Sequence, residues 1–574
     1  MSRLFPDNFF ESTRKSSNVQ LEALRNASSS SHSSKSIISS HHIPIPKQTE
    51  ASIIPFNIHG QGCVILDTGT ESIKTGVAGS DLPQFIVPTI IAKHAKYSQH
   101  NLYGYDAFKS QNEISHNHHS SSTSTTGNHH RPYSQQSSRH DFSLCTPMGY
   151  QIQAPTTGSS NYTYLNPVEK GVVISLEEME NMYSYIFKNL LRIKSQENGV
   201  LLNENISLYH LLESSREVEK YRERMTELFF EKFQIPFLYV GIPQVMSLYS
   251  VGKTSGFCVD FGHATTSGLA VVDGVAKFVH EESQHPTHFY LPFGGGEVTE
   301  HFIKLLQENS QNQGIKISTS AERACIDDLK KLQCYIATDY PKEITKFDKN
   351  EIDTNTTFQL PDGKILNVGR EKFVSCEIYF QPTMVALANL NHSPVKRGRS
   401  ASIKRLALNA TSSSNNSLLS NLKGVHELIH DSISQFQSDT NIQEQLIGNI
   451  VLSGSSSLFN GMEGRMLRDL KRQLALHKKI QLSQTKVKVS SCSHLFLHED
   501  SNTRASKLLT STRDYQRGEY SSFIGASILA SFQDFLHFDA AAESSASFAS
   551  SFAMTKQIYQ GEGASTIHKF YNVC

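Results

Sequence analysis

An apolar stretch that ends in an acidic residue, followed by a short turn and a second apolar stretch, occurs twice in this chain of 574 residues. The first copy, CVILDTGTESIK, places Asp67 before the turn and Lys74 after it, and the second, FCVDFGHATT, places Asp260 before its turn. A tight turn directs successive backbone N–H groups at one point and so can hold a phosphate, although a plain hairpin explains either copy alone. The two copies, about 190 residues apart, together predict two domains that clamp one nucleotide between them.

Apolar residues elsewhere recur with the spacing of helices and strands. Helical spacing predicts amphipathic helices over Met179 to Leu190, Tyr221 to Phe233 and Ala321 to about Tyr335. Continuous apolar runs predict buried strands at Gly268 to Val275 and at Ile450 to Ser453. The mixture of elements indicates an α/β fold in which the helical stripes face the core.

Four tracts of biased, polar composition predict a disordered N-terminal tail and three surface insertions. They cover residues 1–58, 110–160, 383–423 and 493–516. The second tract contains five histidines, which suit either a metal site or a plain polar insertion: His116, His118, His119, His129 and His130. The third contains a basic cluster that could be a nuclear address, a partner patch or a solvated loop: Lys396, Arg397, Arg399, Lys404 and Arg405.

The overall composition narrows the class of protein. Lys plus Arg (54) equals Asp plus Glu (54), so the charge balance gives no reason to expect binding to nucleic acid or to a membrane surface. The cysteines form no CxxC pair, and several lie in apolar runs, as buried free thiols do in a reducing compartment. No apolar run approaches 18 residues. These features predict a soluble intracellular protein, cytoplasmic or nuclear.

Several segments carry a family's motifs in that family's order. In chain order they are YRERMTELFFEKF at 221–233, LPDG at 360–363, FQP at 380–382, NIVLSG at 449–454, IGASILAS at 524–531, and the C-terminal residues Lys556, Gln557, Tyr559, Gly563, Ser565, Ile567 and His568. Through these segments, most of residues 62–108 and 165–574 resemble actin and the actin-related proteins. Residues 84–88 and 468–472 also resemble the larger actin-related subunit of the branch-nucleating complex.

The resemblance implies an actin-like, two-lobed nucleotide clamp of the superfamily that joins actin, the chaperone ATPases and the sugar kinases. Its outer lobe would comprise residues 59–250 and a C-terminal return, residues 520–574. Its inner lobe would comprise residues 251–519, and the tail 1–58 would lie outside both lobes. The nucleotide would occupy the cleft between the lobes.

The resemblance also implies a role for individual residues toward ATP or ADP with Mg²⁺. Asp67 and Asp260 would hold waters around the metal ion, which keeps much of its hydration shell. The phosphates would be bound by the first hairpin (Gly69, Thr70, Glu71 and Lys74) and by the second (Gly262, His263, Ala264 and Thr265). The adenosine would be lined by Gly295, Lys330, Gly454, Ser455 and Phe459, although Lys330 and Phe459 would otherwise be read as helix surface and core.

The chain departs from the family at positions close to the nucleotide. Glu71 replaces a Gly in the first hairpin, His263 replaces an Asp in the second, and Ser267 replaces a His that positions water. On the adenosine side Lys331 replaces a Glu, Ser455 a Gly and Glu519 a Lys. The family's Gln that positions the attacking water falls at Pro243, and Gln244 comes one residue late, which turns a helical side chain by about 100°. Because phosphoryl transfer depends on positioning the nucleophile, the sequence predicts negligible ATP hydrolysis and no confident catalytic residue.

The predicted function is that of a non-polymerising structural subunit or adaptor that binds adenine nucleotide, weakly or as a structural wedge, in a cytoskeletal or a chromatin-remodelling assembly. The chain between Ala92 and Tyr103 is too short for the family's exposed subunit-contact loop, and tract 383–423 replaces a short apolar plug. Partners would be other protein subunits, including actin or actin-related proteins, with no membrane and no direct nucleic-acid contact. The alternatives are a polymerising actin-like ATPase and, less compatible with the motifs, a sugar kinase or chaperone ATPase.

Overall fold

The structure is a computed structural model of the whole chain. It describes residues 62–111, 162–212, 214–279, 286–317, 319–352, 356–360, 362–383, 423–477, 486–492, 518–532 and 553–571. The predicted N-terminal tail lies outside these ranges, as do nearly all of the three predicted insertions, with the five tract histidines and the basic cluster. The remainder folds as the mixed α/β structure that the sequence predicts.

The described residues form nineteen strands. In chain order they are β1 (Gly62–Thr68), β2 (Ser72–Val77), β3 (Phe85–Pro88), β4 (Ile91–His94), β5 (Leu102–Tyr103), β6 (Tyr162–Leu165), β7 (Val168–Glu169), β8 (Val172–Val173), β9 (Asn198–Asn203), β10 (Phe237–Gly241), β11 (Gly256–Phe261), β12 (Thr266–Val272), β13 (Val275–Lys277), β14 (His288–Leu291), β15 (Thr356–Gln359), β16 (Ile365–Val368), β17 (Ile450–Ser453), β18 (Val489–Ser491) and β19 (Met554–Thr555).

Two mixed sheets form the centre of the fold, and they share one plan. The first has the order β19-β10-β9-β1-β2-β3, in which β1 pairs antiparallel with β2 and parallel with β9. The second has the order β13-β12-β11-β17-β18, in which β11 pairs antiparallel with β12 and parallel with β17. Both strands of each predicted hairpin are therefore interior strands of their sheet. The chain boundaries proposed for the two lobes stay a prediction.

The helices lie between and after these strands. The α-helices are α1 (Leu176–Tyr185), α2 (Leu208–Leu211), α3 (Ser215–Glu227), α4 (Pro243–Ser250), α5 (Gly295–Glu308), α6 (Ser320–Gln333), α7 (Tyr340–Asp348), α8 (Glu371–Val374), α9 (Val425–Ser434), α10 (Thr440–Ile447), α11 (Met462–His477), α12 (Ser521–Ala530), α13 (Lys556–Glu562) and α14 (Ile567–Tyr571). Wider π-type turns extend α1 over Ile186–Leu191 and α3 over Leu228–Lys232. Short 3₁₀ segments are Ser98–His100, Ser195–Glu197, Ser310–Asn312, Ser375–Tyr379, Ser455–Leu458 and Ala564–Thr566.

The predicted helices occur as α1, α3 and α6, and the predicted strand at 450–453 is β17. The strand predicted over Gly268 to Val275 is wrong beyond Val272, because Asp273 and Gly274 adopt positive φ angles and turn the chain into β13. An Asp-Gly pair between apolar runs is a hairpin signal that the continuous apolar run concealed. No helix in the described ranges is both long and apolar enough to cross a bilayer.

Each sheet has an apolar core against its helices. The first core packs α1 and α3 on β1 and β9, with Tyr183 and Phe229 fully buried. The second packs α5, α6 and α11 on β11 and β17, with Phe257 and Phe302 fully buried. Helices α4 and α12 pack closely on each other; α4 also contacts β11 of the second sheet, and α12 contacts β1 of the first. This helix pair joins the two sheets and fixes the hairpins relative to each other.

Candidate nucleotide site

The two hairpin turns, residues 69–71 (the first turn) and residues 262–265 (the second turn), have the same geometry. The Gly69 N–H donates to the Ser72 carbonyl at 3.1 Å, and the Gly262 N–H donates to the Thr265 carbonyl at 2.9 Å. A Cβ at either glycine would lie within about 3 Å of that carbonyl, which is closer than real Cβ contacts. Both turns therefore need glycine at this position, because any other residue would bring its Cβ against a backbone carbonyl.

Within the described residues, the turn amides beyond these glycines have no hydrogen-bond partner: the N–H groups of Thr70, Glu71, His263 and Ala264. Free amides in a turn are the donors that an anion-binding nest uses. The turns are held from outside, because Asn166 Nδ2 donates to the Thr70 carbonyl at 2.6 Å and the Gly171 N–H donates to Thr70 Oγ1 at 2.8 Å. The first turn thus keeps its donors for a ligand.

Asp67 and Asp260 are each the last but one residue of the central strands β1 and β11, and their carboxylates are close enough to interact electrostatically. Desolvation and the charge of Asp67 raise the pKa of Asp260 to about 6, while Lys74 and the Ser453 hydroxyl lower it. Asp67 accepts hydrogen bonds from Ser522 Oγ at 2.8 Å and Asn203 Nδ2 at 3.3 Å. Ser453 Oγ donates to Asp260 at 3.2 Å. Two carboxylates and one lysine from both sheets therefore converge, and this is a donor set that hard divalent cations accept through water.

The loop after β17 contributes the third side of the space. Gly454 has a φ of +83°, and a Cβ there would lie 2.4 Å from the Phe261 carbonyl. Ser455 begins the 3₁₀ segment that follows, and Phe459 after it is buried in the second core. The predicted residue Gly454 thus lies beside Asp260, and Ser455 follows it in the chain, whereas the Phe459 ring packs with core side chains.

The predicted adenosine residue Lys330 is already engaged by its own protein. Its ammonium donates to the Gly295 carbonyl at 3.0 Å, to Thr299 Oγ1 at 2.8 Å and to Asp327. Lys331, on the next position of α6, pairs with the other oxygen of Asp327 at 2.7 Å. Burial acts against the charge of Asp327, but the two lysines hold the pKa of this carboxyl well below its usual range. A capping box at Thr319 and Glu322 begins α6 and so fixes this cluster.

The two turn residues that depart from the family contact each other. His263 Nδ1 lies 3.2 Å from Glu71 Oε2, and the two side chains are 14% and 21% exposed. Burial disfavours both charges, yet the attraction to His263 lowers the pKa of Glu71 and the attraction to Glu71 raises the pKa of His263. An ion pair thus bridges the turns of the two sheets.

A contact between the β7–β8 turn and the second turn was not predicted from the sequence. Lys170, which has a φ of +50°, donates to the Ala264 carbonyl at 3.1 Å, to the Pro292 carbonyl at 2.7 Å and to Glu297 at 2.6 Å. Glu297 also caps its own helix by accepting from the Gly294 N–H. The NPVEKG segment predicts only a turn, because the residues that Lys170 contacts are more than 90 positions away in the sequence.

Pro243 and Gln244 occupy the start of α4. Pro243 is at the first helical turn, where a missing N–H costs no hydrogen bond. Gln244 is fully buried, and its Nε2 donates to Ser267 Oγ at 2.9 Å. Its amide therefore does not take over the place of the family's glutamine.

Comparison with known proteins agrees with this architecture. A sequence model of the actin family matches residues 59–571. Actin-related protein 2 of Saccharomyces cerevisiae is 26% identical over 471 residues, which are 82% of this chain and 91% of that protein. The resemblance to the larger actin-related subunit stays a prediction. With a family match across nearly the whole chain, two central sheets of one plan and a hairpin turn from each at one cleft, the chain belongs to the actin family.

Proposed function

We propose that this chain is a divergent actin-related protein that binds adenine nucleotide as a structural ligand and serves as a non-polymerising subunit of a multiprotein assembly. The observation that supports the proposal is that the groups for binding a nucleotide are present, while those for positioning an attacking water are not. The two turns and the carboxylates Asp67 and Asp260 are preserved, while the positions for the attacking water hold Pro243 and the buried pair of Gln244 and Ser267.

The retained groups fit a phosphate chain and a hydrated Mg²⁺. The free turn amides and Lys74 would hold phosphate oxygens, and Asp67 and Asp260 would hold the waters of the metal ion. The metal ion, when bound, would neutralise phosphate charge. Adenosine would lie toward Gly295, Gly454 and Ser455, and ATP or ADP would bind less tightly than in family members whose turns lack Glu71.

Slow hydrolysis follows from what the side chains can do. Phosphoryl transfer to water requires a group that orients the nucleophile, and a proline has no side-chain donor or acceptor. Gln244 is held against Ser267, away from solvent. We therefore expect the purified full-length chain to bind an ATP analogue but to release phosphate far more slowly than conventional actin. Phosphate release at the rate of conventional actin would overturn this part of the proposal.

Non-polymerisation follows from the surface near β4. The connection from β4 to β5 has only seven residues, 95–101, and contains the 3₁₀ segment Ser98–His100. Such a short turn offers little surface to a neighbouring subunit. We expect no filaments by electron microscopy in Mg²⁺ and salt, with conventional actin polymerised in parallel. Filaments of the chain alone would favour the alternative function, a polymerising cytoskeletal ATPase.

The proposed setting is cytoskeletal and cytoplasmic, in an assembly with actin or other actin-related proteins. It is supported by the likeness to Actin-related protein 2. Affinity purification of the tagged chain, followed by mass spectrometry, tests it. Cytoskeletal subunits in the purified material would support the proposal, whereas a chromatin-remodelling set with nuclear localisation would overturn it.

A further inference from the structure

Glu71 in the first turn and His263 in the second turn form a pair across the two sheets. Glu71 adds a carboxylate where the family has Gly, and His263 adds an imidazole where the family has Asp. The structure brings these two side chains together at 3.2 Å, one from each sheet. The two turns thus contact each other directly through protein side chains.

The imidazole is held firmly in place for this contact. The His263 carbonyl accepts from the Gly296 N–H at 2.8 Å, and a Cβ at Gly296 would lie 2.7 Å from the ring Nε2. The Nε2 edge of the ring therefore lies against the first turn of α5, and its Nδ1 lies 3.2 Å from Glu71 Oε2. Little rotamer freedom remains to be lost when the pair forms.

The surroundings of Glu71 suit an anion. Lys331, at a position that the family gives to an acidic residue on the ribose side, attracts the Glu71 carboxylate, and Lys330 lies near the imidazole. Asp327 and Glu519 are the nearby negative groups, and Asp327 is neutralised by its two lysines. The charges that face Glu71 are thus arranged as they would be around a bound anionic ligand.

We propose that Glu71 is a built-in anion in the nucleotide cleft, and that its pair with His263 holds the two turns together when no nucleotide is bound. The cleft then closes without a ligand, and an incoming nucleotide must compete with the pair for the same space. This goes beyond the proposed function, since closure by the pair does not depend on which assembly contains the chain or on whether nucleotide is hydrolysed.

The test uses the full-length protein, stripped of nucleotide with apyrase and a chelator. Glu71→Gln removes the charge and keeps the shape, and His263→Gln removes the other partner. Each single change is expected to lower the nucleotide-free melting temperature by ~3 °C, and the double variant by little more than one single change. Fully additive losses, or no loss in either single variant, would overturn the proposal.

Nucleotide affinity provides the second readout. The dissociation constant of a fluorescent ATP analogue is expected to fall by about tenfold or more in Glu71→Gly, because a competing carboxylate is removed. Glu519→Gln is the control, a partly buried carboxylate near Lys331 that does not pair with His263. An equal gain in this control would attribute the effect to charge in general and reject the pair as its cause.

The two readouts separate failure of this inference from failure of the proposed function. If neither the wild-type chain nor any variant binds the analogue, the nucleotide-binding part of the proposed function fails. The melting cycle of Glu71 and His263 still decides the inference in that case. If the melting temperatures show coupling between Glu71 and His263 but the ATP analogue does not bind, the pair has replaced the nucleotide as the link between the two turns.

Discussion

The side-chain amide of Gln244 donates a 2.9 Å hydrogen bond to the hydroxyl of Ser267, and both residues are fully buried. Ser267 lies directly across from Asp260 in the β11–β12 register. The hydrogen bond therefore ties the start of α4 to the second hairpin at the depth of the proposed metal ion. The Gln244 amide therefore faces Ser267 in the protein interior and is shielded from solvent.

Restoring an amide one residue earlier is expected to restore some hydrolysis. In Pro243→Gln the new side chain projects from the position where the family has its glutamine, so phosphate release should rise by roughly tenfold or more. Steady-state phosphate release by the purified chain measures the effect. Pro243→Ala is the matched control, because it removes the proline without adding an amide. A rise in both variants would attribute the gain to loosening of α4 instead.

Lys170 is expected to fasten the β7–β8 turn to the second sheet and α5 more strongly than a surface lysine would. Lys170→Met keeps most of the aliphatic stem but loses the bonds to the Ala264 and Pro292 carbonyls and to Glu297, at a cost of about 1–2 kcal/mol of unfolding free energy. Denaturant unfolding measures this loss. Lys194→Met is the control, since its pair with Glu197 is largely exposed and should contribute little. Equal losses in both variants would contradict the assignment.

The Glu71–His263 pair predicts a pH window for stability. Burial and Lys330 would lower the pKa of His263, but Glu71 and Asp327 outweigh them and raise it above the usual 6.5. The stabilisation from the charged imidazole is therefore fully present below pH 6.5 and is lost as pH rises through the raised pKa. Burial and Asp327 would raise the pKa of Glu71, but His263 and Lys331 outweigh them and lower it below 4.5. The stabilisation from Glu71 is therefore lost as pH falls through this lowered pKa.

The measurement is the difference in unfolding free energy between the wild-type chain and His263→Gln, taken between pH 5 and 9. The difference should be largest near pH 5 to 6 and should shrink at higher pH. A difference that grows with pH would show that the imidazole acts as a neutral hydrogen-bonding group and not as the cation of a pair.

Asp260 predicts proton release when a divalent cation binds. Burial and the charge of Asp67 raise the pKa of Asp260 to about 6, so part of the population is protonated at pH 6. A hydrated Mg²⁺ between the two carboxylates would favour the ionised form and displace that proton. Calorimetric titration of Mg²⁺-nucleotide at pH 6, in buffers of different ionisation enthalpy, should show the release. Asp260→Asn should abolish it, and release that persists in this variant would place the proton elsewhere.

Individual residues show which features of the fold and of the candidate site could be predicted from the sequence. Asp67, Gly69, Asp260 and Gly262 could be predicted because strand periodicity and turn chemistry act over a few neighbouring positions. The strand end at Val272 was missed because an apolar run outweighed the Asp-Gly turn after it. Lys330 was predicted as a ligand contact, and its bonds to Gly295, Thr299 and Asp327 emerge only when α5 packs on α6.

The sequence by itself determined the hairpins, the amphipathic helices and the family, because these are carried by local spacing and by the order of motifs along the chain. The tertiary structure decided which distant side chains meet. Glu71 with His263, Lys170 with Glu297 and Gln244 with Ser267 are separated by 192, 127 and 23 positions in the numbering, and no local pattern links them. These side chains interact only once folding has placed them within a few ångströms of each other, because electrostatic attraction is strong at short distance in poorly solvated surroundings.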